Sequence, residues 1–260
     1  MAKHLNFYQR VELYDIALRR PVDTEVDFFM ELYKQHTGKD LESFLEIACG
    51  PAYHGIEMAL RDIHVTCLDL LPEMISFARH KAEEADVDIN FVASDMRDFD
   101  LEQSVDMAVC LFDAIDVLLD NDSILAHLDS VARNMNKGGI YVIQNTHPAL
   151  SAYGEYGQFS YEGERNGTKV ELRWATNNPI FDPITGIAQV DIEIHITEND
   201  LISVIYDTAN ERMTTPSEWA LMARLSGEFE PIAWYGNFDI NQPLDNSPNA
   251  EYAVIVLRRL

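Results

Sequence analysis

The sequence predicts an α/β protein built on a mainly parallel sheet, with a separate antiparallel β segment late in the chain. Two observations predict this class. Between residues 43 and 144, short apolar runs alternate with stretches of helical periodicity, a pattern typical of parallel strands joined by crossover helices. Between residues 158 and 213 the pattern changes to alternating runs separated by turn residues, which predicts antiparallel strands.

The N-terminal and α/β elements follow from periodicity and from proline and glycine positions. Residues 1–40 have helical periodicity, and Arg20-Pro21 divides them into two helices because the residue before proline avoids the α region. Pro72 suits the first turn of a helix, and Lys137-Gly-Gly139 is expected to cap the end of another. Strands are expected at 43–48, 64–69, 89–93, 105–111 and 140–144, with helices near 54–62, 72–85 and 121–136.

The late β segment is expected to be an insertion into the α/β domain. Its strands are predicted at 159–161, 169–175, 188–197 and 201–207, with turns at 163–167, 182–186 and 198–200. Thr215 before Pro216 predicts the start of a closing helix, and residues 232–235 and 252–257 return to strand. We therefore expect three segments, 1–150, the insertion 151–213, and 214–260, which completes the first domain.

The composition limits the classes of function. A net charge of −25 over 260 residues disfavours binding to nucleic acid or to an anionic membrane. No run of eighteen apolar residues and no signal-peptide pattern is found, so a cytoplasmic protein is expected. The three cysteines lie in or beside predicted buried strands and are expected to be reduced. The eight histidines lack close ligand spacing, so no metal site is expected.

The turn after the first strand carries the strongest functional signal. The small residues Ala48, Gly50 and Ala52 stand between strand and helix, where backbone N–H groups can approach a ligand closely. Asp69 ends the next strand, where a carboxylate can accept hydrogen bonds from a ribose. The G-x-G-x-x-G pattern is incomplete, and Glu46 would repel a pyrophosphate. The pattern therefore favours S-adenosylmethionine (SAM), a cationic nucleoside, over NAD.

These residues resemble the motifs of the class I SAM-dependent methyltransferases, and the likeness extends over most of the chain. The segments 45–54, 65–70, 93–99, 106–112 and 138–143 are similar to five family motifs in order. The resemblance implies a Rossmann-like sheet of seven strands, with S-adenosylhomocysteine (SAH) as the product of SAM. The chain departs from the family pattern at Ala48 and Ala52, where glycine is usual, and at Pro51, which removes an N–H group.

The resemblance also implies roles for individual residues. Asp69 would bind the ribose hydroxyls, Asp95 the adenine amino group, and Met96 would cover the ring. Tyr14 and Arg20 would belong to an N-terminal helical lid, although a core tyrosine and a solvated arginine are equally expected there. The complete cofactor-binding set is Tyr14, Arg20, Glu46, Ala48, Gly50, Asp69, Leu70, Asp95, Met96 and Leu111.

Catalytic residues are expected to be few. Methyl transfer is an in-line displacement, so the protein mainly aligns the reactants and excludes water. His147 after strand five and Asp113 after strand four are candidate bases at the carboxyl edge of the sheet, although hydrogen bonding within their loops would also explain them.

The expected acceptor is a nitrogen, or next an oxygen, of a small metabolite. The insertion resembles that of small-molecule methyltransferases related to the amino-sugar and glycine N-methylating enzymes, and it would serve as an acceptor cap or a homodimer surface. An NAD(P)-dependent oxidoreductase and a non-catalytic SAM-binding protein remain as alternatives.

Overall fold

The computed structural model of the protein describes residues 7–147 and 158–260. These residues divide into an α/β unit, residues 22–147 with 214–260, and a β-rich unit, residues 7–21 with 158–213. The sequence prediction had placed all of 1–150 in one segment. The structure instead clusters the first helix with the late β segment, which the sequence order does not reveal.

The α/β unit contains five helices and seven strands among its described residues. Its elements in chain order are α2 (Asp23–Thr37), β1 (Ser43–Ile47), α3 (Tyr53–Ala59), β2 (His64–Asp69), α4 (Pro72–Glu84), β3 (Ile89–Ala93), β4 (Val105–Cys110), α5 (Asn121–Arg133), β5 (Met135–Thr146), α6 (Pro216–Ser226), β10 (Phe229–Tyr235) and β11 (Tyr252–Arg259). A short 3₁₀ turn, Ala114–Val117, follows β4.

The sheet of this unit has the strand order β10-β11-β5-β4-β1-β2-β3. Strands β3, β2, β1, β4 and β5 are parallel, whereas β11 runs antiparallel to both β5 and β10. The chain therefore crosses the sheet in one direction from β1 to β3 and in the other from β4 onward. Ligands of such folds bind in the crevice at the carboxyl ends of the strands where this reversal occurs, here β1 and β4. The predicted Rossmann-like sheet is confirmed.

The β-rich unit is a four-stranded antiparallel sheet with one helix. Its elements are α1 (Val11–Leu18), β6 (Phe159–Arg165), β7 (Thr168–Trp174), β8 (Ile187–Glu198) and β9 (Leu201–Arg212), with the strands in sequential order. Helix α1 lies against β6 at Gly163, where an added Cβ would stand 1.8 Å from the carbonyl oxygen of Ile16. Asp15, almost fully buried, forms an ion pair with Arg165. These two contacts explain why α1 belongs to this unit.

Two turn predictions were wrong. Lys137-Gly-Gly139 does not cap α5, which ends at Arg133 with Asn134 as its C-cap, but lies inside β5. There β5 bulges against β4, and a Cβ on Gly139 would stand 2.6 Å from the carbonyl oxygen of Asp106. Gly163, predicted as part of a turn, is inside β6, and the turn is at Asn166-Gly167, both of which have positive φ. Each glycine is explained by close packing of another segment.

The closing helix agrees with its sequence signals. The side chain of Thr215 accepts a hydrogen bond from the backbone N–H of Glu218, and Glu218 returns a bond to the N–H of Thr215, which is a capping box. Within residues 7–147 and 158–260, no helix is long and apolar enough to cross a membrane.

Candidate active site

The turn between β1 and α3 has an unusual backbone. Ala48, Gly50 and Ala52 have φ angles of 53°, 50° and 59°, which lie in the left-handed region that L-residues with a Cβ adopt at a cost of roughly 1–2 kcal/mol. The N–H of Cys49 donates to the carbonyl of Leu68 (3.0 Å), which fixes the turn to the end of β2. Strained backbone of this kind concentrates at ligand sites.

Asp69, at the end of β2, joins this turn to the start of α4. Its Oδ2 accepts from the N–H of Gly50 and its Oδ1 from the N–H of Leu71, both at 2.9 Å. Burial raises the pKa of the Asp69 carboxyl, and the N–H groups of Leu71 and Gly50 partly oppose this. Each carboxylate oxygen accepts more than one hydrogen bond. The carboxylate is therefore held in place by the protein and keeps acceptor capacity for a hydroxyl ligand.

Glu46 has a structural role that the sequence did not indicate. Its Oε2 accepts from the N–H of Gly55 (2.8 Å), and its Oε1 lies 3.0 Å from Nδ1 of the buried His54. A Cβ on Gly55 would stand 2.4 Å from Sγ of Cys67 and 3.1 Å from Oε2 of Glu46. Glu46 therefore anchors the first turn of α3 to β1. Its contact with a cationic ligand stays a prediction.

The segment after β3 contains the residues predicted to bind adenine. The guanidinium of Arg97 donates to both carboxylate oxygens of Asp95, with distances of 2.6–3.1 Å, and these bonds lower the pKa of Asp95. Met96 is half-buried and packs against the core. Leu70 is 52% exposed, whereas Leu111 is buried. Of this pair, Leu70 has the accessibility that a ligand contact requires.

Asp113, a candidate base, is held by β5. It follows β4 with a φ of 54°, and its carboxylate accepts from the N–H and the hydroxyl of Thr146, the latter at 2.8 Å. Burial raises its pKa, and the bonds from Thr146 and Asn145 oppose this. Asn145 also donates to Asp116 (2.7 Å) and accepts from Nε1 of Trp219 (3.2 Å). The ends of β4 and β5 therefore form one hydrogen-bonded network.

His147, the other candidate base, is buried just beyond β5. Its Nε2 lies 2.8 Å from the carbonyl oxygen of Asp245. Because a carbonyl only accepts, Nε2 carries the hydrogen, and Nδ1 is the basic nitrogen of the neutral ring. Residues 148–157, which directly follow His147, lie outside the described residues.

Tyr14 and Arg20 belong to the β-rich unit rather than to the α/β unit. The ring of Tyr14 packs against Phe7 and Tyr8, with centroid distances of 5.4 and 5.7 Å. Their predicted contact with the cofactor stays a prediction. Cys49, Cys67 and Cys110 are free and buried. In the described ranges no cluster of three or more His, Cys, Asp or Glu side chains could hold a metal ion.

Comparison with known proteins agrees with this geometry. Residues 44–139 match a family described as a methyltransferase domain. Over these residues the chain is similar to methyltransferases. The domain spans β1 to the glycines of β5, so it includes the Asp69 turn, the Asp95 segment and Asp113, but not His147.

The curated proteins that this chain resembles are distant in sequence. The ubiquinone biosynthesis O-methyltransferase of Rickettsia akari is 21% identical over 209 residues, which cover 78% of this chain and 76% of that protein. Other curated methyltransferases match over 46–52% of this chain and 49–55% of their own length. The chain thus spans about half the length of several curated relatives that it matches.

Solved structures show the same fold over almost the whole chain. A SAM-dependent methyltransferase from Clostridium acetobutylicum has a TM-score of 0.77 at 15% identity, with 97% of this chain and 98% of that chain covered. SAM-bound CalS10, an amino pentose methyltransferase from Micromonospora echinaspora, has a TM-score of 0.71 at 19% identity, covering 93% and 92%. The predicted fold is therefore confirmed, and the family match and the curated relatives support the predicted methyltransferase class.

Proposed function

We propose that the protein transfers a methyl group from SAM to a nitrogen atom, or next an oxygen atom, of a small metabolite. The observation that carries this proposal is the arrangement of Gly50, Asp69 and Leu71. One carboxylate, held by N–H groups from two loops, lies beside a tight turn of small residues at the carboxyl ends of the central strands. This arrangement suits the ribose of a nucleoside ligand.

The residues of the turn fit SAM better than a dinucleotide. Ala48 and Ala52 leave little side chain above the backbone, whereas Glu46 and Asp69 make the surroundings acidic. A pyrophosphate would be repelled by these carboxylates, and a sulfonium amino acid would be attracted. When bound, SAM supplies a methyl group on a positively charged sulfur. The chain would position Asp69 at the ribose and Asp95 with Met96 at the base.

The acceptor would meet the network at the ends of β4 and β5. A neutral amine needs only alignment and exclusion of water, whereas a protonated amine or a hydroxyl must lose a proton. His147 lies just beyond β5 and bonds through Nε2 to the carbonyl of Asp245, so Nδ1 is its candidate basic atom, whereas Asp113, already bonded twice to Thr146, is better placed to hold β5 than to accept a proton. We therefore assign the base role to His147 and a positioning role to Asp113.

Nitrogen is preferred as the acceptor because one structurally similar protein acts on an amino sugar. CalS10 is described as an amino pentose methyltransferase, and an amino sugar is a small molecule with a methylatable nitrogen. The Rickettsia relative is an O-methyltransferase, which keeps oxygen as the second candidate. The net charge of −25 supports a small molecule rather than a nucleic acid.

Calorimetry and a methylation assay together test the proposal. The purified protein should bind SAH and give no heat with NADH, and it should transfer labelled methyl from SAM to a member of a panel of amino sugars, amines and phenols. Binding of NADH alone would support the oxidoreductase alternative. Binding of SAH without transfer to any panel member would support a non-catalytic SAM-binding protein. No binding of SAH would refute the proposal.

A further inference from the structure

One face of α5 carries three buried polar side chains that bond to the main chain of the segment 95–101. His127, Ser130 and Asn134 are spaced i, i+3 and i+7, so they share one side of the helix. Their exposed fractions are 0%, 0% and 4%. We call these three residues the α5 ridge.

Each residue of the ridge holds a different point of the segment. Nδ1 of His127 lies 2.9 Å from the carbonyl oxygen of Met96. Ser130 Oγ accepts from the N–H of Phe99 (3.0 Å), and Asn134 Oδ1 accepts from the N–H of Leu101 (2.7 Å). Only the first of these bonds reaches a residue predicted to contact the adenine ring. The other two hold the segment where it returns to the core.

The bond from His127 has a fixed direction. The Met96 carbonyl can only accept, so Nδ1 carries the hydrogen and Nε2 must accept. Nε2 lies 2.6 Å from the hydroxyl of Tyr141 on β5, which therefore donates. Burial lowers the pKa of His127 to about 4, so the ring stays neutral and this arrangement persists near pH 7. Tyr141 is itself fully buried, which leaves the imidazole one orientation.

We propose that His127 is a positioning residue for the base of the cofactor. By holding the Met96 carbonyl, it sets where the Met96 side chain and the adjacent Asp95 carboxylate stand relative to the adenine ring. The inference rests on the proposed function and on the predicted adenine contacts of Asp95 and Met96. Ser130 and Asn134 would contribute to folding without affecting recognition of the base.

Two substitutions of His127 separate the bond to Met96 from the bond to Tyr141. His127→Asn places an amide N–H near the position of Nδ1 and keeps a donor for the Met96 carbonyl. His127→Gln places its amide near the position of Nε2 and keeps a partner for Tyr141, but it loses the bond to Met96. Asn134→Ala is the matched control, because it also removes buried hydrogen bonds to this segment.

Calorimetry with two ligands gives a readout that a loss of stability alone would not move. The ligands are SAH and S-inosylhomocysteine, in which a carbonyl replaces the adenine amino group. The wild-type protein should prefer SAH. His127→Gln should reduce this preference by about fivefold, the equivalent of one hydrogen bond. His127→Asn and Asn134→Ala should retain it, even where their melting temperatures fall.

The remaining outcomes separate this inference from the proposed function. If the wild-type protein binds neither ligand, the proposed function fails and the inference fails with it. Equal binding of the two ligands by the wild-type protein would overturn the inference and leave SAM binding intact. A preference unchanged in His127→Gln, or reduced equally in Asn134→Ala, would also overturn it. Should His127→Gln not fold, His127→Leu, which also lacks a donor for the Met96 carbonyl, must reduce the preference, whereas Tyr141→Phe, which leaves that bond in place, must retain it; any other result would count against the inference.

Discussion

Replacement of Asp69 by alanine tests the central contact of the proposed site. In the structure this carboxylate accepts the N–H groups of Gly50 and Leu71. Asp69→Ala leaves both donors without their acceptor and removes the predicted partner of the ribose hydroxyls. Stranding a buried hydrogen-bonding group costs about 1–3 kcal/mol. For the ribose contact alone, this corresponds to a loss of SAH affinity of about 5-fold to 150-fold.

The measurement is isothermal titration of SAH into wild-type and variant proteins, with melting temperatures recorded in parallel. Asp88→Ala is the matched control, because Asp88 is an exposed acid just before the opposite end of β3, and its loss changes the net charge equally. The control should bind SAH with wild-type affinity. If Asp69→Ala lowers the melting temperature but binds SAH within twofold of wild type, the carboxylate only supports the loops and the ribose assignment is wrong.

Three further predictions concern other parts of the site. His147→Gln keeps a donor for the carbonyl of Asp245 but removes the basic Nδ1. If His147 is the base, the turnover number in a methyl-transfer assay should fall by about 10²-fold or more. A loss of only two-fold would indicate a structural role. Gly55→Ala should lower the free energy of unfolding, measured by urea titration, by about 1–3 kcal/mol through overpacking. The double variant with Cys67→Ala removes the sulfur that the new Cβ would contact and should recover part of that loss. Burial raises the pKa of Asp113, so the folded state holds this proton more tightly than the unfolded chain does. The group therefore reduces the free energy of unfolding as pH rises above the ordinary aspartate pKa of about 4. Asp113→Asn should lose less unfolding free energy between pH 4 and 6 than wild type, and parallel slopes would contradict this.

The elements of the α/β unit were predictable because their signals are local. Strands β2 and β3 have the predicted bounds, and α4 begins at Pro72 as expected, since apolar runs and the fixed φ of proline act within a few residues. The small residues around Gly50 and the acid at Asp69 were likewise visible, because a turn that brings backbone to a ligand excludes large side chains. Their order along the chain was enough to predict the fold and the class of cofactor.

Partners distant in sequence were not predictable. The ligand contact of Glu46 stays a prediction, but its bonds to Gly55 and His54 across the turn had no signal in the sequence. His127 gave no signal in the sequence, since its partners Met96 and Tyr141 meet it only when α5 packs on the sheet. Hydrogen bonds of this kind depend on distances across the core, which periodicity does not encode.

The sequence by itself determined the parallel sheet, the tight turn of small residues around Gly50 and the acidic character of the protein, because periodicity, residue size and charge are properties of neighbouring residues. Only the tertiary structure decided that Gly139 serves a bulge rather than a helix cap, and that α1 joins the late β segment through Gly163. In both cases the deciding quantity is the distance between two backbones far apart in the chain. That distance is set by the packing of whole elements.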